Sequence, residues 1–186
     1  LGPPSHCGHE LVYCHNDVQF GNIMVKQDKA SSACGSGQGG GGEGGEEEEE
    51  DLSQPAIRLI DFEYSGFNPR AYDIANHWCE WCYDYMTPEG SGVAPHEYKE
   101  EWFPSAEVEQ VRFLRAYLGY DDADDAKLTA EEDAAVESLR VEVLSYVPAT
   151  HVHWGLWGII QSVTAVGIDY DFEGYTRQRM GKLWGK

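Results

Sequence analysis

The sequence predicts an α+β fold in which three short strands are followed by about five helices. Two apolar runs, around Leu11–Tyr13 and Ile23–Val25, flank a polar loop, and a third, Ile57–Ile60, ends at an Asp. After Pro69 the apolar residues recur every three or four positions to the end of the chain. Short apolar runs bounded by polar loops suit strands, and the later period suits amphipathic helices. Strands grouped before helices argue against a doubly wound parallel sheet.

Local chemistry accounts for the elements in turn. The loop around His15–Asn22 separates the first two strands, and the second ends near Lys26. From Ser31 to Asp51 the chain is mostly Gly and Ser and then acid, with no apolar residue between Cys34 and Leu52. Such a segment cannot bury enough surface to offset its ordering entropy, so residues 31–51 read as a disordered Gly/Glu-rich insertion before the third strand. Tyr72 to Tyr85 puts Ile74, Trp78, Trp81 and Tyr85 on one helical stripe. Pro88 to Pro95 reads as a loop. Pro104 opens a helix through Val108, Val111, Leu114 and Leu118 that stops at Gly119. Thr129 and Glu132 have capping-box spacing for a helix to about Tyr146, which Pro148 is expected to break. His151–Val166 and a segment from about Tyr170 to Trp184 supply the last two helices.

Composition bounds the function. A chain of 186 residues with 41% hydrophobic content, six Trp and eleven Tyr can form one sizeable, aromatic-rich core. The net charge of −20 argues against nucleic acids and anionic membranes as partners and favours a cationic substrate. Without the acids of the insertion the remainder is still acidic. Five Cys form no framework, and no apolar run of about 20 residues offers a membrane span, so a reducing, cytoplasmic setting is expected. His6-Cys7-Gly8-His9 and Cys79-Glu80-Trp81-Cys82 carry zinc-type ligands, but no second pair stands at zinc-finger spacing and neither is assigned a metal.

The loop sequence HNDVQFGN carries the chemistry. Asp17 lies two residues after His15, and Asn22 five residues after Asp17, as in a kinase catalytic loop; Asp61 then sits on the hinge after the third strand. Phosphoryl transfer needs a carboxylate at the attacking hydroxyl and oxygen ligands for magnesium. Asp17 suits the first role, Asn22 and Asp61 the second, and Glu63 reads either as a further metal contact or as a surface carboxylate. A loop Asp also caps turns, but that reading would leave Asn22 and Asp61 as coincidences. His15 is expected to pack and hold the loop, and Asp73 to brace it from a helix start. These features together describe the helical C-terminal lobe of a protein-kinase-like fold, 1–186. No glycine-rich nucleotide loop or strand Lys precedes His15, so the N-terminal nucleotide-binding lobe is expected to be absent from these residues.

HNDVQFGNIM, LIDFEYSGFNPRAYDIANHWCEWCYDY and HVHWGLWGIIQ resemble the choline/ethanolamine kinase family, most of all its plant choline kinases. The resemblance covers almost the whole chain apart from the insertion. It implies transfer of phosphate from ATP, with Mg2+, to choline or ethanolamine at the entry to phospholipid synthesis. On that basis Asp17 is the base, Gln19 and Asn22 support the loop and metal, and Asp61 binds magnesium. Glu80, Tyr85, Trp154, Trp157, Tyr170 and Tyr175 match the amino-alcohol pocket. Residue chemistry agrees on the ligand, because a quaternary ammonium has no hydrogen to donate and is held by ring faces and diffuse carboxylate attraction. By themselves, Trp154, Trp157 and Gln161 on one helical face would read as core. Choline is the expected substrate. The alternatives are an ethanolamine kinase, or a non-catalytic fragment or pseudokinase acting as a binding partner; a homodimer is compatible with either class.

Overall fold

The computed structural model describes residues 10–26, 57–85, 96–120 and 128–184. The insertion at 31–51, the His6–His9 pair and the loop at 88–95 lie outside them. Among the described residues four strands form two antiparallel pairs: β1 (Leu11–Cys14) with β4 (Gly66–Pro69), and β2 (Ile23–Val25) with β3 (Ile57–Leu59). Leu11 faces Pro69 and Cys14 faces Gly66 in the first pair; Ile23 faces Leu59 in the second. β4 is a correction to the expectation of three strands. Its sequence, Gly66-Phe67-Asn68-Pro69, is rich in turn residues, and only its pairing with β1 makes it a strand.

Among the described residues four α-helices follow: α1 (Arg70–Glu80), α2 (Glu109–Tyr117), α3 (Ala130–Thr164) and α4 (Phe172–Gly181). The expected break at Pro148 does not occur, and α3 runs unbroken for 35 residues. An interior Pro costs a helix about 3 kcal/mol, but α1 and α4 both pack along α3, and tertiary contact offsets a local loss of that size. The capping box forms as expected: Thr129 Oγ1 accepts from Glu132 N at 3.2 Å, and Glu132 accepts from Thr129 N at 2.8 Å. Three other boundaries differ. α1 stops at Glu80 rather than Tyr85; α2 begins at Glu109, because the Glu109 carboxylate accepts from Ser105 N and closes the turn after Pro104; and Tyr170 precedes α4. Gly119, at φ 74°, supplies the left-handed residue beyond α2.

The core gathers Ala71, Ile74, Ala75 and Trp78 of α1, Leu114 of α2, and Val136, Leu139 and Val143 of α3. Burial of side chains such as Leu114 and Val143 contributes about 1.5–3 kcal/mol each. Beyond this core, α3 approaches α4 at two glycines. Gly155 lies under the Met180 side chain, and a Cβ on Gly158 would collide with Thr176 Oγ1 and crowd the Tyr175 ring. That absent Cβ is what lets Trp157 and Tyr175 face one cavity. Among the described residues no helix is long and apolar enough to cross a membrane.

Candidate active site

α1 organises the polar loop from below. Asp73, in its first turn, accepts from His15 N at 3.0 Å and from Asn16 N at 2.8 Å, so the carboxylate braces the loop rather than capping its own helix. One turn on, Asn76 Nδ2 donates to Asn16 O at 3.1 Å, and His77 Nδ1 bonds Val18 O at 2.8 Å. His15 is buried; its Nε2 donates to Ile60 O at 2.9 Å and its Nδ1 accepts from Asp17 N at 3.3 Å. Asn16, in a left-handed conformation at φ 65°, donates to Tyr64 O and accepts from Asn68 Nδ2. Both strand pairs are thus tied to one loop.

The loop delivers Asp17 to a cavity of about 430 Å³, into which Gln19, Asp61 and Glu63 also face. Asn22 is buried behind it, where its Nδ2 donates to Asp17 O at 2.9 Å and to Asp17 Oδ2 at 3.0 Å. Gln19 Oε1 accepts from Gly21 N at 3.0 Å and caps the turn that carries Asn22. Asp61 has φ 64°, a left-handed backbone that Asp tolerates better than most residues, at the point where the chain leaves β3. Burial first, and then the negative charge of Glu80, push the Asp17 carboxyl up to about 6.

This shift predicts a stability effect of definite sign. With a folded value above its ordinary 3.8, Asp17 binds its proton more tightly in the folded state, so its contribution is full below about pH 4 and lost as pH rises through about 6. The melting temperature of the wild type, relative to Asp17→Asn, should fall across that window. A flat difference between the two melting curves would exclude the shift. Taking the difference also removes His151, whose titration burial pushes down to about 3.

Opposite Asp17, the cavity is aromatic. Trp154 and Trp157 of α3 have ring centroids 5.7 Å apart, and Trp157 lies 5.8 Å from both Tyr175 and Phe172. Tyr170 packs 6.1 Å from Tyr175, and Trp157 Nε1 donates to Tyr64 OH at 2.9 Å. Trp154 Nε1 donates to Asn76 Oδ1 at 2.6 Å, so Asn76 joins the aromatic wall to the backbone of the Asp17 loop. Glu80 and Tyr85 complete the wall, with Tyr85 OH donating to Glu80 Oε2 at 3.0 Å.

Glu80 is not an open carboxylate, because Arg179 of α4, fully buried, donates to its Oε1. Burial works against the guanidinium charge, but Glu80 and, after it, Tyr175, Tyr83 and Tyr85 together outweigh it and hold Arg179 well above its ordinary range. Removing one partner of such a buried pair costs about 3–5 kcal/mol, although the pair adds little net stability over an apolar replacement.

The structure gathers Asp17, Gln19, Asp61, Glu63, Glu80, Tyr85, Trp154, Trp157, Tyr170 and Tyr175 around this one cavity and leaves Asn22 behind Asp17. Sequence reasoning passed over Tyr64, Asn76, Phe172 and Arg179. Asn76 alone had a signal, as an amide on the apolar side of a helix between Ile74 and Trp78. Cys79 and Cys82 are buried thiols, with Cys79 receiving a contact from Thr150 Oγ1 at 3.3 Å.

Comparison with known proteins places this geometry. The chain is 38% identical over 94% of its length to an Arabidopsis thaliana protein described as probable choline kinase 2, and 33% identical over 91% to a human choline/ethanolamine kinase. It spans 39% and 36% of those two proteins, about two fifths of their length. Among solved structures, a choline kinase from Cryptosporidium parvum matches 95% of this chain and 38% of its own, with a TM-score of 0.63 and 26% identity. A Plasmodium vivax ethanolamine kinase matches 94% of this chain and 34% of its own, with a TM-score of 0.62 and 26% identity. Since the sequence profile of the choline/ethanolamine kinases also fits residues 4–184, nearly the entire chain, it belongs to the choline/ethanolamine kinase family.

Proposed function

We propose that this chain is the catalytic and substrate-binding lobe, of protein-kinase-like fold, of an enzyme that transfers the γ-phosphoryl group of ATP to choline, giving phosphocholine. One observation carries the reading: a single cavity has Asp17 and Asp61 on one side and an aromatic wall on the other. An amino alcohol spans those sides naturally, its ammonium against the rings and its hydroxyl toward Asp17. Asn22 fixes the Asp17 carboxylate, which accepts the hydroxyl proton as the oxygen attacks. With a carboxyl value near 6, Asp17 is ionised at neutral pH yet basic enough to take a proton.

Magnesium would be held by hard oxygens from Asp61 and Glu63. Among the described residues no three His, Cys, Asp or Glu side chains cluster as a metal cage, and magnesium, which keeps phosphate and water ligands, fits so sparse a donor set. When bound with the nucleotide, it supplies neutralisation of the phosphate charge. Asn22 orients the Asp17 carboxylate through its Nδ2, and its Oδ1 would be the oxygen it offers the metal.

Trp157→Ala tests the substrate assignment. Loss of about 0.5–2 kcal/mol of cation–π attraction should weaken choline binding by roughly two- to thirty-fold. Ethanolamine, which can donate hydrogen bonds to carboxylates on the cavity wall, should lose less. Titration of wild type and variant with both alcohols, following tryptophan fluorescence, measures this. An equal or larger penalty for ethanolamine would make the aromatic wall simple packing.

A further inference from the structure

A cavity suited to a cation has a permanent cation buried behind its wall. Arg179 lies one turn after Tyr175, with its guanidinium 4.3 Å from the Tyr83 ring centroid and 5.2 Å from that of Tyr175. Its Nε donates to Tyr175 OH at 3.1 Å and its Nη2 to Glu80 Oε1. The other carboxylate oxygen of Glu80 accepts from Tyr85 OH. A bound ammonium gains nothing directly from this positive charge, so the effect of Arg179 on the ligand must pass through Glu80 and Tyr175.

Primary and quaternary ammonium groups ask different things of such a wall. A primary ammonium has three N–H donors and gains most from a carboxylate with open lone pairs and uncompensated charge. A quaternary ammonium has no donor and gains most from ring faces. At Glu80 both oxygens are engaged and the charge is offset, whereas the rings of Trp154, Trp157 and Tyr175 face the cavity. The wall therefore gives up part of what would hold a primary ammonium and keeps what holds an N-methylated one.

We propose that Arg179 is a positioning residue that sets selectivity for N-methylated over primary ammonium, by clamping Glu80 and Tyr175 into one wall and offsetting part of the Glu80 charge. The inference rests on reading the cavity as an amino-alcohol site. Binding of choline and of ethanolamine to the 186-residue chain, by tryptophan fluorescence titration, tests it in wild type, Arg179→Met, Arg179→Lys and the double variant Glu80→Gln/Arg179→Met. Arg179→Met frees Glu80 and should move the ratio of dissociation constants toward ethanolamine by about tenfold or more, the scale of one charge-assisted hydrogen bond. Arg179→Lys keeps the charge and should stay within about twofold of wild type, as should the double variant, which has no carboxylate to free.

Equal weakening of both ligands by Arg179→Met, or a shift that survives in the double variant, overturns the inference. Should Arg179→Met fail to fold, Glu80→Gln decides. It should weaken both ligands alike, since Glu80 is already compensated, and a selective loss of ethanolamine binding would overturn the role of Arg179. Wild type that binds neither alcohol overturns the amino-alcohol reading as well, whereas binding with an unmoved ratio overturns this inference alone.

Discussion

Replacing Asp17 with Asn is expected to lower kcat for choline phosphorylation by roughly two orders of magnitude or more while leaving the fold intact. The substitution keeps the size of the side chain and an oxygen to accept from Asn22 Nδ2, so the loop held by Asp73, Asn76 and His15 has no reason to move. What disappears is the carboxylate proposed to accept the hydroxyl proton. The assay is best made on this chain joined to the portion that the curated relatives carry outside the match, with ATP, magnesium and choline. Circular dichroism separates a chemical from a folding defect. Activity within a few-fold of wild type would remove Asp17 from the reaction. The wild-type rate should also rise with pH to a plateau above about 6, since the protonated carboxyl cannot act as a base.

Asp61→Asn should cost a comparable factor in kcat for a different reason. Asp61 adopts φ 64°, and Asn is the substitute that best tolerates a left-handed backbone, so the change isolates the carboxylate charge from the turn after β3. With one hard anionic ligand gone, the magnesium concentration for half-maximal rate should rise, and excess magnesium should recover part of the loss. A magnesium titration of both proteins reads this directly. An unchanged magnesium dependence, or a rate within a few-fold of wild type, would show that Asp61 has no part in holding the metal.

The residues most legible in the sequence are those whose chemistry is local. Asp17 and Asn22 are five positions apart on one loop, and the structure joins them by a direct hydrogen bond at 3.0 Å. Thr129 and Glu132 form their capping box because both halves lie within one turn. Propensity failed where distant packing overruled it. Pro148 reads as a break, yet α3 continues because α1 and α4 line it. β4 reads as a turn, yet β1 lies beside it and makes it a strand.

Legible from the chain alone were the order of strands before helices, the loop on which Asp17 stands, the hinge carboxylate Asp61, and an aromatic helical face at Trp154 and Trp157. Those follow from periodicity and spacing within single elements. Only the tertiary structure decided that the face is a cavity wall, that Asn76 ties Trp154 to the loop, and that the Glu80 charge is offset in part by Arg179, a residue 99 positions away. The physical reason is close approach of helices. α3 and α4 meet at Gly155 and Gly158, and that contact brings Tyr175 against Trp157 and α4 to the Glu80 of α1. Charge neutralisation inside a protein depends on which groups share a low-dielectric space, and a linear chain does not encode that distance in any local pattern.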